Sequence, residues 1–145
     1  MKMMKWIVLM CLTIGLHGYA GEGMWLTDFE KAKEKAAQKD VPILADFAGS
    51  DWCGWCIKLD NEVFAEDEFK AYADENLVLF LADFPRSKEQ SDDVKELNQE
   101  LAQKYGVEGF PTVLLLDANG DVIARTGYRR GGAESYVEHL KELQK

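Results

Sequence analysis

Asp46-Phe47-Ala48-Gly49-Ser50-Asp51-Trp52-Cys53-Gly54-Trp55-Cys56, residues 46–56, is the stretch from which the rest of the chain is read. Two cysteines stand three residues apart, flanked by tryptophans, after an apolar run and before a helical pattern. Thiols at that spacing can close a small disulfide or share one metal ion. A helix starting at the pair would aim unpaired backbone N–H groups and the positive end of its dipole at the first sulfur, favouring thiolate over thiol. A partly exposed thiolate of lowered pKa is a nucleophile, so the stretch points first to redox chemistry.

The flanks extend this into a fold. Upstream, residues 41–48 form an apolar run of strand length, interrupted by Asp46. Pro42 lies near its start, where a missing donor is tolerated. Before it, Thr27-Asp28-Phe29-Glu30 reads as a capping box with Thr27 as the cap. Phe29, Ala32 and Ala36 then recur at helical spacing to about Lys39, and Asp40 closes the helix. Downstream of the cysteines, Ile57, Leu59, Val63 and Phe64 carry a helix. Glu66-Asp67-Glu68 breaks or restarts it, with Asp67 as cap of a second piece bearing Phe69, Tyr72 and Ala73.

Residues 77–82 read as a second buried strand. The polar residues 83–90 that follow are open to two readings, a plain connector or a decoration of a substrate face. From Ser91 or Asp92, a helix carries Val94, Leu97, Leu101 and Tyr105 on one face and ends at Gly106. Residues 112–116 and 122–126 are strands joined by the hairpin turn Asn119-Gly120. Gly131-Gly132 opens a last helix with Tyr136, Val137, Leu140 and Leu143. The order α-β-α-β-α-β-β-α predicts an α/β fold, its sheet parallel at the core with an antiparallel hairpin at the edge.

Composition narrows the class. The chain has 145 residues, 47% of them apolar, and a formal charge of −9. That suits one folded domain with a core. No basic stripe is present, which argues against nucleic acid as a partner, and the excess of acid argues for solubility. Lys2 and Lys5, the apolar residues 6–16 and the small residues Gly18 and Ala20 read as a signal peptide over residues 1–20, cut after Ala20. The apolar run is short for a membrane span, which needs about 20 residues. One domain, 21–145, would remain.

Cys11 would leave with the signal; Met10 before it is not the small residue that a lipid-modified cysteine requires. Cys53 and Cys56 are then the only cysteines, too few for a stapled framework but enough for one redox pair in an oxidising compartment. A purely structural disulfide would close so short a loop that it constrains little. A zinc site wants four ligands; no second cysteine pair exists, and His139 is the only histidine after residue 20. No metal is expected.

A Trp-Cys-x-x-Cys between strand and helix, an acid in the preceding strand and a proline before a β-hairpin together resemble the thioredoxin family. The resemblance spans about residues 22–145. Glu62-Val63-Phe64 and Tyr105-Gly106-Val107-Glu108-Gly109-Phe110-Pro111-Thr112 look like the exported bacterial thioredoxin-like proteins. It implies a thioredoxin fold, a central mixed sheet of about four strands flanked by helices. It implies that Cys53, at the helix start and the more exposed, is the nucleophile, with Cys56 the resolving thiol. Pro111 would be a cis-proline facing the disulfide, an uncommon peptide form and so a built feature. Phe110 would offer backbone to an extended substrate segment. Trp52 and Trp55 could be core; Trp55, between the cysteines, would cover the disulfide, and exposed aromatics there fit the docking of substrate chains.

Asp46 would take the proton of the resolving thiol; a merely hydrogen-bonded buried acid is the other reading. Asp46 stands seven residues before Cys53, one more than in ordinary thioredoxin, which leaves Asp51 as a rival or as a solvated loop residue. Residues 77–82 also lack the lysine that ordinary thioredoxin pairs with this acid, and Lys58 reads as a solvated helix residue rather than a substitute. The activity implied is reduction of disulfides in client proteins, in the periplasm or outside the cell, by a monomer. The Cys53–Cys56 dithiol/disulfide serves without a further cofactor, and a membrane-borne thiol donor would restore it. The same motif can oxidise or isomerise, and a binding or chaperone module with an idle disulfide is the reading from another class.

Overall fold

The computed structural model describes residues 24–145. The expected signal peptide, with Lys2, Lys5 and Cys11, lies outside the described residues. Among them, no helix is long and apolar enough to cross a membrane.

Five strands form one sheet: β1 (Trp25–Leu26), β2 (Ile43–Ala48), β3 (Val78–Asp83), β4 (Thr112–Leu116) and β5 (Val122–Thr126). Their spatial order is β1-β3-β2-β4-β5. β1, β3 and β2 run parallel, β4 runs antiparallel to β2, and β5 returns antiparallel to β4. The fold is the expected mixed α/β sheet with one more strand than the sequence suggested. β1 was missed because it is two residues long, too short for any periodicity to register.

Helix α1 (Phe29–Lys39) is capped by Asp28, not Thr27. The Asp28 carboxylate accepts the Lys31 N–H at 3.1 Å, while Glu30 turns to Lys33 at 2.8 Å instead of closing a capping box. The helix ends at Asp40 in the left-handed region, φ 53°. β2 begins two residues later than the apolar run because Pro42 has no N–H to pair; its carbonyl accepts from Val78 instead. After the cysteines, α2 (Gly54–Leu59) passes into a π-helical turn, Asp60–Phe64, before α3 (Asp67–Asn76). The expected break is present, but Asp67 is already helical and Glu66 occupies the cap position without a side-chain bond. Helix α4 (Asp92–Lys104) starts at Ser91, whose hydroxyl accepts the Val94 N–H at 3.3 Å, and α5 (Gly132–Leu143) closes the chain.

Strand alternation sorts two cores onto the sheet's two faces. Ile43, Ala45, Phe47, Phe80, Leu114 and Leu116 pack against Phe29, Ala32 and Ala36 of α1 and Leu101 of α4. Leu44, Leu79, Val113 and Leu115 face Leu59, Val63, Phe64, Phe69, Tyr136 and Leu140 of the other helices. Each fully buried Leu, Ile, Val or Phe among them contributes about 1.5–3 kcal/mol. The same period of two gives Asp46 the face of Leu44, beneath α2, and so sets an acid behind the cysteines.

Candidate active site

β2 ends at Ala48, and the loop from Gly49 brings Cys53 to the start of α2. Gly49 is there because Trp52 needs its space: a Cβ on residue 49 would lie 2.4 Å from the Trp52 ring. Cys53 is the N-cap of α2, and its Sγ accepts the Cys56 N–H at 3.3 Å. The two cysteines form a disulfide, Cα to Cα 5.2 Å. They are almost equally buried, 7% and 6% exposed, so exposure does not separate them as the sequence suggested. Position does. Cys53 receives the helix-start N–H, and Cys56 lies one turn inside.

Cys56 and Asp46 line one cavity of about 280 Å³ behind the disulfide, together with Leu81 and Asp60. Asp46 is buried, and its Oδ1 has no hydrogen-bond partner. Burial first, then the nearby charges of Asp60 and Asp83, push its pKa up to about 7. A carboxyl with that pKa beside a thiol can hold or release a proton near neutrality. In the parallel β2–β3 pair the neighbour of Asp46 is Leu81, and among the described residues no cation pairs with the buried acid.

Asp60 is the residue that sequence reasoning passed over. It follows Cys56 by four, a spacing that shares a helix face, so the signal was present. Asp51, weighed as a rival acid, faces elsewhere. Its carboxylate accepts backbone N–H bonds from Arg86, Ser87 and Lys88 at 2.9, 2.7 and 3.0 Å. These bonds, the one from Arg86 foremost, hold its pKa below the usual carboxylate value. Lys58 lies by Trp55 and Tyr128, 5.2 and 5.5 Å from their rings.

The aromatic residues divide between two sides of the disulfide. Trp55 is 53% exposed and tilts onto Tyr128 at 5.0 Å. Tyr128, also unremarked in the sequence, donates its hydroxyl to Glu62 at 2.7 Å. On the other side, Trp52 and Phe110 pack against the cysteines and each other, ring centroids 6.0 Å apart. The Phe110–Pro111 peptide is cis. Trp52 Nε1–H donates to the Phe84 carbonyl at 2.7 Å, and Phe84 stacks on Phe110 at 4.9 Å. Residues 83–90 are thus fastened to the cysteine loop. Among the described residues no cluster of three His, Cys, Asp or Glu could hold a metal ion.

The profile of the thioredoxin-like domain family matches residues 29–144. A disulfide bond reductase, DsbH of Chlamydia pneumoniae, is 38% identical over 117 residues, which cover 81% of this chain and 70% of that protein. A solved DsbH oxidoreductase superposes with a TM-score of 0.79 at 38% identity, over 83% of each chain. A thioredoxin from Thermus thermophilus superposes with a TM-score of 0.60 over 82% of this chain and 85% of that one; at 16% identity it shows likeness of fold alone.

Proposed function

This chain belongs to the thioredoxin-like family, and we propose that it is an exported reductase of disulfides in client proteins. It is a thiol–disulfide oxidoreductase, and the cysteine pair is itself the redox group. The observation that carries the proposal is the placement of Cys53 at the amino end of α2 with Cys56 and the buried Asp46 behind it in one cavity. The reducing direction is supported by the 38% identical relative named as a disulfide bond reductase. Export is supported by the lysines, apolar run and small residues of residues 1–20.

The Cys53 thiolate attacks one sulfur of a client disulfide, and the other client sulfur leaves and takes up a proton. Cys56 passes its proton to Asp46 and attacks Cys53 Sγ. The mixed disulfide breaks, and the second client sulfur leaves. Two electrons have moved from the pair to the client, and Cys53–Cys56 is a disulfide. A dithiol donor must return two electrons for the next cycle; in an oxidising compartment a membrane-borne donor fits that need. Trp55 on one side, and Trp52, Phe110 and Pro111 on the other, bound the surface where a client chain lies.

Reduction of insulin disulfides by thiol-driven turnover tests the chemistry. Cys53→Ser abolishes it, and Cys56→Ser accumulates mixed disulfides with the client. Full activity in Cys53→Ser would overturn the mechanism, and client capture without a covalent bond would favour a binding module. The reduction potential of the pair tests the direction. Reference dithiols run from about −270 mV for a reductant to about −120 mV for a strong oxidant. A value near the upper end would make the protein an oxidase or isomerase.

A further inference from the structure

The loop between β3 and α4 is tied down beside the cysteines by Ser50, Asp51 and Trp52. Ser50 gives its N–H and its hydroxyl to the two carboxylate oxygens of Asp83, at 2.9 and 2.6 Å. Trp52 holds the Phe84 carbonyl, and Asp51 gathers the N–H groups of Arg86, Ser87 and Lys88. Phe84 lies flat on Phe110, the residue before the cis-proline. Ordering a loop costs about 1–2 kcal/mol per residue in backbone freedom, and a plain connector needs no such set of bonds. A loop ordered in advance spares that cost when a partner binds.

Arg86, Ser87 and Lys88 are exposed in this assembly; the Lys88 Nζ donates to Ser50 Oγ at 2.9 Å, while Arg86 turns to Trp52. The Arg86 guanidinium carbon lies over the Trp52 ring, 3.6 Å from the ring centroid. Among the described residues no carboxylate forms an ion pair with it. The two acids nearest in the network are already occupied, Asp51 by the loop N–H groups and Asp83 by Ser50. A guanidinium stacked on a ring keeps its N–H edges free and its rotamer fixed, and those edges match a carboxylate in a two-pronged bond.

We propose that residues 84–88 are a pre-formed wall of the client groove, positioned by Asp51, and that Arg86 on this wall receives a carboxylate side chain of the client close to its reacting disulfide. This rests on the reading of the chain as a client-directed disulfide reductase, and it names the client segment that the site prefers. Asp51 acts through the loop and is a positioning residue; Arg86 makes the contact.

Two disulfide-linked peptides that differ only in a Glu or a Lys beside the cysteine, and a small non-peptide disulfide, test this by kcat/KM. Wild type favours the Glu peptide about tenfold. Arg86→Gln brings the ratio near one, and Arg86→Lys keeps part of it. Asp51→Ala raises KM for the Glu peptide about fivefold with kcat held, lowers the Glu/Lys ratio, and leaves the reduction potential of the pair where it was. Asp51→Asn, which keeps one acceptor oxygen, falls between; it and Arg86→Gln decide the matter if Asp51→Ala does not fold. Equal rates for the two peptides in wild type overturn the proposal. So does a preference that survives Arg86→Gln, or an Asp51→Ala protein as impaired on the small disulfide as on the peptides. A wild type that reduces all three substrates without preference sinks the wall and keeps the reductase; one that reduces none sinks the reductase reading itself.

Discussion

Asp46 stands beside Leu81 in the parallel pairing of β2 with β3, so a buried carboxylate has an aliphatic side chain where a cation would steady it. The fold therefore favours its protonated form. Its pKa is raised from 3.8 to about 7, by burial first and by Asp60 and Asp83 after that. A folded pKa above the unfolded one means stability complete below about pH 4 and lost as pH rises through about 7. At about 1.4 kcal/mol per unit the whole effect is about 4 kcal/mol. Relative to Asp46→Asn, the oxidised wild type should lose about 2–3 kcal/mol from pH 5 to pH 8 in denaturant unfolding, since the lowered pKa of His139 adds the same opposite slope to both. Parallel slopes in wild type and variant would mean that another group carries it.

Asp60 should tune this titration from the mouth of the same cavity. Its charge is the second cause of the Asp46 shift, after burial. Asp60→Asn should lower the Asp46 pKa without returning it to the ordinary carboxylate value, because burial remains. The carboxyl titration of Asp46, followed by NMR in the oxidised protein, reads this directly. An unmoved midpoint would show that the two acids do not interact.

Much of the arrangement was legible because it repeats a period or a fixed spacing. Residues 41–48 showed β2 as an apolar run of strand length holding one acid, although which residues take which face was not written in so uniform a run, and Phe29, Ala32 and Ala36 mark the buried side of α1. What was not legible joins residues far apart in the chain. Asp51 and the N–H groups of Arg86, Ser87 and Lys88 meet only because β2 and β3 are neighbours and end together, and nothing local in Phe84-Pro85-Arg86-Ser87-Lys88 records that. The Thr27 cap lost to Asp28 for a local reason: both side chains could cap, and a shift of one residue was enough to choose.

Gly49→Ala should be costly although the residue carries no chemistry. The new methyl would lie 2.4 Å from the Trp52 ring, so the indole must move and its bond to the Phe84 carbonyl must go. Overpacking of this kind costs about 1–3 kcal/mol. The loss should appear in thermal unfolding, together with a change in tryptophan fluorescence. A variant as stable as wild type with unchanged emission would show that the loop absorbs the methyl elsewhere.

Trp52 and Trp55 flank one disulfide yet should respond to truncation in different ways. Trp52 is half-buried against Cys53 and Cys56, donates to Phe84 and carries Arg86 on its face. Trp52→Ala should cost about 1–3 kcal/mol, since it removes the packing on the cysteines and the bond to the Phe84 carbonyl. Trp55 is 53% exposed and rests on Tyr128 and Lys58. Trp55→Ala should cost under about 1 kcal/mol, as surface substitutions do. On the proposed reading its effect falls on clients instead, a KM for a protein disulfide raised several-fold with the reduction potential unmoved. Unfolding free energies and insulin kinetics on the two variants separate these roles. If Trp55→Ala destabilised the fold as much as Trp52→Ala, its ring would be a packing element and not a contact for clients.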